Sequence, residues 1–234
     1  MCGIDAGAMA SRRRWLHGMA AGGIVAASGG PLVGRVAGGE SAAEGMTPRQ
    51  ALDFLQAGND RFVAGRTAAP NRDIDRLREV APRQTPFAAF LGCADSRVPI
   101  EIVFDQGFGD LFVTRIAGNV AATENIASLE FATHVLGARV LYVLGHTSCG
   151  AVTAAAKAEP VPGQISALFQ HIRPAVRAAK GDVDAAIREN VRLQAQTLVE
   201  ASTVISALVS EGKVLVAGGI FDLETGKVKA VELG

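Results

Sequence analysis

The sequence predicts an α/β protein: a mainly parallel sheet flanked by helices, with an antiparallel strand at its C-terminal edge. Three observations predict it. From Phe87 onward, compact apolar runs of strand length alternate with stretches of helical spacing, the order that sets parallel strands between helices. The last apolar run, over 227–233, follows Leu223-Glu224-Thr225-Gly226 so closely that it folds back rather than crossing over. A chain of 234 residues with 49% apolar and 20% charged residues is large enough for one well-buried domain.

The elements follow in order. Thr47-Pro48-Arg49-Gln50 is a helix start, with Thr47 as cap, Pro48 in the first turn and Gln50 closing a capping box. Leu52, Leu55, Asn59 and Phe62 recur at helical spacing, and Gly65 ends the element. A polar stretch to Thr85 holds a short helical piece over 73–80, whose charges suit a solvated face. Strands are expected over 87–92, 111–116, 139–145 and 213–217, and helices over 124–136, 149–158, 164–179 and 184–210. Gly107-Phe108-Gly109 lacks the third glycine of a dinucleotide loop and reads as a turn.

Residues 1–43 are a different kind of segment. They hold Arg12, Arg13, Arg14 and Arg35 against Asp5 and Glu40, leaving 19 of the 23 basic and 21 of the 23 acidic residues to the rest. Ser11-Arg12-Arg13-Arg14-Trp15-Leu16 has the twin-arginine pattern; a glycine-rich apolar run follows over 18–36, and small residues cluster over 37–43. The expectation is an export signal ahead of a catalytic domain over 44–234, giving a periplasmic or extracellular protein, or a cytoplasmic one should the leader not function. Glycines and Arg35 interrupt the apolar run, so no stable membrane anchor is expected in the mature form. Zero formal charge and no basic stripe exclude nucleic acid as a partner.

With Cys2 in the leader, Cys93 and Cys149 remain. Cys93-Ala94-Asp95-Ser96-Arg97 leaves the first strand, and His146-Thr147-Ser148-Cys149-Gly150 leaves the third. Two thiolates and an imidazole make a three-ligand zinc set with a fourth position for water or a carboxylate, which is how catalytic zinc is held. Zinc fingers take close ligand pairs; a lone cysteine far from an H-x-x-C pair needs a folded scaffold instead. Strand ends in an open parallel sheet supply one. Cys149, near the start of the next helix, gains from its dipole as a thiolate.

These residues resemble the β-class carbonic anhydrases. Cys93-Ala94-Asp95-Ser96-Arg97-Val98 matches that family's first motif, and His146-Thr147-Ser148-Cys149-Gly150 its second. Gly58-Asn59-Asp60-Arg61-Phe62, Phe104-Asp105-Gln106-Gly107, Gly109-Asp110-Leu111-Phe112-Val113, Ala117-Gly118-Asn119 and the run from Gly218 to Gly226 agree as well. Ile116 departs from it, standing where many members carry a polar residue. The resemblance covers the chain from about Thr47 onward.

The resemblance implies the β-carbonic anhydrase fold and reversible hydration of CO2 to bicarbonate and a proton by zinc-bound hydroxide. One Zn2+ per subunit would be held by Cys93, His146 and Cys149. Asp95 would orient the hydroxide and Arg97 would hold Asp95; in some members the aspartate swings onto the metal as a fourth ligand and closes the site. Gln84, Phe112 and Gly150 match substrate-binding positions. A homodimer or higher homo-oligomer is implied, with pocket walls shared between subunits. The alternatives are a CS2 or COS hydrolase on the same scaffold and a non-catalytic zinc or bicarbonate-binding protein. His134 and His171 read as solvated histidines on helices.

Overall fold

The computed structural model describes residues 45–234, so the expected leader over 1–43 lies outside the described residues. Helix α1 (Pro48–Val63) opens with the expected capping box: Gln50 N donates to Thr47 Oγ1 at 3.2 Å, and Thr47 N to Gln50 Oε1 at 2.8 Å. Helix α2 (Ile74–Val80) is capped by Asp73 and has no buried residue. Strand β1 (Ala88–Gly92), the short helix α3 (Ile100–Val103) and strand β2 (Leu111–Arg115) follow. Next come helix α4 (Thr123–Glu130), strand β3 (Val140–His146), helices α5 (Gly150–Lys157), α6 (Ser166–Ala178), α7 (Val183–Ala201) and α8 (Thr203–Ser210), and strands β4 (Leu215–Phe221) and β5 (Val228–Ala230).

The sheet order is β2-β1-β3-β4-β5, with β1 to β4 parallel and β5 antiparallel to β4. Alternation along β1 serves two cores. Ala89 and Leu91 face α4 to α8, whereas Ala88 and Phe90 face α1 and α3, beside Leu55, Phe104 and Tyr142. The expected mainly parallel sheet with a C-terminal antiparallel edge is thus the architecture observed.

Three expected elements change on folding. The helix over 184–210 breaks at Ser202, whose extended backbone ends α7 while its hydroxyl accepts from Ile205 N and donates to Glu130 Oε1 at 2.6 Å. The helix over 124–136 finishes as a π-helical turn, Phe131–Val135. The fourth strand, expected over 213–217, is Leu215–Phe221 and so runs past Ala217 through Gly218 and Gly219. A Cβ on Gly218 would meet Val191 Cγ1 at 2.7 Å, and one on Gly219 would lie inside van der Waals contact with the Tyr142 hydroxyl. Those glycines admit α7 and Tyr142 against the sheet. Helix α3 was not expected.

The 107–109 segment is a turn, and Gly107 backs onto the Pro70 and Asn71 carbonyls with no room for a side chain. Buried Asp105 fixes the loop before it, accepting from Arg61 Nε at 2.7 Å and from Ala68 N and Ala69 N at 2.8 Å each. No helix among the described residues is long and apolar enough to cross a membrane.

Candidate metal centre

The sheet brings Cys93, His146 and Cys149 to one point. Cys93 directly follows β1, and His146 is the last residue of the neighbouring strand β3. Ser148, at φ 55°, then turns the chain so that Cys149 becomes the cap residue of α5. The Cys93 and Cys149 sulfurs and a His146 ring nitrogen all lie within 4.8 Å of one another, and all three residues are buried. That spacing suits one ion with bonds of about 2.0–2.3 Å.

The donor set fits zinc on two further grounds. His146 Nδ1 donates to the Thr147 carbonyl at 2.9 Å, which fixes the tautomer and leaves Nε2 as the lone-pair nitrogen. Nε2 is buried without a hydrogen-bond partner, an orphaned acceptor that a metal would satisfy. Second, the two thiols are free and share a hydrogen bond. The bond from Cys149 lowers Cys93, against the upward push of burial, with the Gly118 and Asp95 backbone N–H groups adding to the fall. Donating that bond, together with burial, pushes Cys149 up, although the Ala151 and Val152 N–H groups at the start of α5 oppose the rise. A divalent cation held here would displace the shared proton and take both sulfurs as thiolates.

Asp95 stands beside this set, with Oδ2 3.8 Å from His146 Nε2. Arg97 grips it as a fork: Nε donates to Oδ1 at 2.9 Å and Nη2 to Oδ2 at 2.8 Å, while the Arg97 backbone N donates to Oδ1 at 3.0 Å. Those bonds hold the Asp95 carboxyl well below the usual carboxylate range. Arg97 Nη2 also reaches the Ser148 carbonyl at 3.4 Å, tying the first motif to the second.

Of the expected substrate-binding positions, Gly150 opens α5 next to Cys149, with free space where a Cβ would stand. Gln84 and Phe112 are not brought to the ligands of their own chain. Gln84 is exposed ahead of β1, whose length alone puts about 16 Å between it and Cys93. Phe112 pairs with Ala89 in the sheet and lies 6.4 Å from the Phe131 ring, four residues short of Ile116, which is hydrogen-bonded to Gly92 and Ala94. Ile116 itself packs against the apolar core. His134 is exposed, His171 is half-buried, and neither joins the ligand group.

The sequence reading missed Arg115. Its Nε donates to the Cys93 carbonyl at 2.8 Å and its Nη2 to the Asp95 carbonyl, so one guanidinium spans the turn that carries a ligand and the carboxylate. The sequence reading matched Ala117-Gly118-Asn119 to the family but gave Gly118 no role; its N donates to Cys93 Sγ at 3.3 Å.

Fold and site together define a metal centre of the catalytic zinc type, built at the strand ends of a parallel α/β sheet. The family model for carbonic anhydrase matches residues 88–228. Carbonic anhydrase 2 of Mycobacterium tuberculosis is 38% identical over 188 residues, covering 77% of this chain and 91% of that protein. The carbonic anhydrase of Pseudomonas aeruginosa is 33% identical over 184 residues, covering 71% and 82%. Among solved structures, a Coccomyxa β-carbonic anhydrase in complex with acetazolamide superposes with a TM-score of 0.61 at 26% identity, over 78% of this chain and 82% of that one. A tetrameric β-carbonic anhydrase of Sordaria macrospora shares the fold, with a TM-score of 0.62 at 22% identity over 77% and 96%. The chain belongs to the carbonic anhydrase family, in its β class.

Proposed function

We propose that this chain catalyses the reversible hydration of CO2 to bicarbonate and a proton, with one zinc ion held by Cys93, His146 and Cys149. The observation that carries the reading is the Asp95–Arg97 fork beside three buried ligands. Zinc bound there supplies a water acidified toward neutrality, a behaviour taken from the three-histidine carbonic anhydrases rather than worked out for this site. Asp95, kept ionised by Arg97, accepts a hydrogen bond from the reacting water and turns its lone pair toward CO2. Arg97 keeps the carboxylate aimed, and Arg115 holds the turn on which both stand. Gly150 leaves open space on the α5 side.

The working unit is a homodimer or higher homo-oligomer. Gln84 and Phe112, remote from the ligands of their own chain, then serve the site of a second copy. The β2 edge of the sheet, which carries Phe112, has no partner strand among the described residues. Export follows from Arg12-Arg13 and the apolar and small-residue runs behind them. A twin-arginine route carries folded proteins, so the metal would be taken up before passage. Recovery of all the protein in the cytoplasm with Met1 retained would end that part of the reading.

Stopped-flow CO2 hydration on the purified protein, run beside CS2 and COS hydrolysis and zinc analysis, tests the activity. The expected result is about one zinc per chain and CO2 turnover exceeding that of either sulfur substrate. A zinc-loaded protein without CO2 turnover would overturn it.

A further inference from the structure

A buried polar chain runs from α7 to the sulfur of Cys93, and none of the roles above uses it. Asn190 and Gln194 lie one turn apart on α7, each buried on a face otherwise made of Ala186, Ile187, Val191, Ala195 and Leu198. Gln194 Nε2 donates to Asn190 Oδ1 at 3.1 Å and to the His171 carbonyl of α6 at 3.0 Å. Gln194 Oε1 accepts from Ala121 N at 2.8 Å, and Asn190 Nδ2 donates to the Gly118 carbonyl at 2.9 Å. Gly118 in turn points its own N–H at Cys93 Sγ.

The two amides therefore fix the loop between β2 and α4 at both ends. Gly118 has φ 76°, and a Cβ there would meet Ile172 Cδ1 at 2.7 Å, so the loop is pressed closely on α6. The Gly118 carbonyl lies on the peptide plane next to the one whose N–H reaches the sulfur, so holding it, with φ and ψ of Gly118 fixed by the close packing on Ile172, restrains that N–H. Burying two amides in an apolar face is costly unless each is hydrogen-bonded. Here one bond from each amide ends on a loop that touches a metal ligand.

We propose that Asn190, supported by Gln194, is a positioning residue for the metal centre: it aims the Gly118 N–H at Cys93 Sγ and so tempers that thiolate as a zinc ligand. The inference rests on the zinc reading given above. A thiolate that accepts an N–H bond donates less charge to its metal, and partners behind a ligand are worth about 10–100-fold in metal affinity or activity.

Cobalt(II) substitution supplies a readout independent of turnover. In Asn190→Leu, the sulfur-to-cobalt charge-transfer band should move to longer wavelength because the sulfur regains charge, and zinc transfer to a chelator at neutral pH should quicken about 10-fold or more because Cys93 is no longer held in place. Gln194→Met, which leaves the Asn190 bond to Gly118 in place, should shift both readouts the same way but less. Val191→Ala, a cavity on the same helix, should lower the melting temperature and move neither. If the wild-type protein takes up no cobalt, the zinc reading itself fails. If it does, and Asn190→Leu matches it in band and zinc release, the positioning role is refuted. It is refuted equally if Val191→Ala shifts both readouts as far as Asn190→Leu. Should Asn190→Leu not fold, an unshifted Gln194→Met refutes it.

Discussion

Replacing Asp95 by Asn tests the reading at its centre, because the side chain keeps its size and loses only its charge and one acceptor. In the native site Oδ1 accepts from Arg97 Nε at 2.9 Å and from Arg97 N at 3.0 Å, and Oδ2 accepts from Arg97 Nη2 at 2.8 Å. Whichever way an amide is turned, its NH2 faces an arginine donor, so the fork opens. The reacting water also loses an ionised acceptor. A hydrogen bond to a charged group contributes about 1.5–3 kcal/mol, which at the transition state is about 10–150-fold in rate. Losing the aim along with the charge puts the expected fall in kcat near the upper end, about 100-fold. Cys93, His146 and Cys149 are untouched, so zinc content should stay at the wild-type level. Stopped-flow CO2 hydration near neutral pH, paired with metal analysis, measures both. A fully zinc-loaded Asn variant with unimpaired turnover would remove Asp95 from the mechanism.

Other perturbations separate the remaining roles. Arg97→Gln removes the largest cause of the lowered Asp95 pKa, so the carboxyl should titrate nearer its ordinary value. That ordinary value still lies below neutrality, where a zinc-bound water would titrate, so the acid limb of the pH–rate profile should stay put; loss of the fork's aim should instead lower kcat about 10-fold, and an unimpaired rate contradicts the pairing. Cys149→Ser should cost most of the bound zinc, because one of three ligands is lost, and full occupancy on metal analysis would contradict the ligand set. Asp105→Asn should destabilise the fold by about 2–4 kcal/mol, since the Ala68 and Ala69 amides and Arg61 lose a buried carboxylate. Burial pushes the Asp105 pKa up, but Arg61 and the two amides outweigh it and leave the value lowered. The stability contributed by a lowered carboxylate is present above its unfolded pKa of about 3.9 and is lost as pH falls through the folded value. Urea unfolding should therefore show the gap between variant and wild type closing in acid.

The sequence by itself determined the sheet, its helices and the chemistry of the site. Apolar runs of strand length separated by helical spacing leave few arrangements other than a parallel sheet with covered faces. Cys93, Asp95, Arg97, His146 and Cys149 lie in two short stretches, so their types and local spacing could be read from neighbours in the chain. The Thr47 and Gln50 capping box was legible for the same reason: both partners sit within one turn.

Only the tertiary structure decided what depends on contacts between distant segments. The break at Ser202 needs Glu130 from another helix, and the strand through Gly218 and Gly219 needs Val191 and Tyr142 to fill the space above them. Arg115, Gly118, Asn190 and Gln194 carry no local pattern that points to a metal centre; they converge on Cys93 and its turn because strand order and helix packing bring them there. Gln84 and Phe112 show the same division, since their residue types match substrate-binding positions but they stand at the N-terminal ends of β1 and β2, away from Cys93. Side-chain chemistry is local and can be read along the chain, whereas positioning is the sum of long-range packing and appears only when the sheet is closed by its helices.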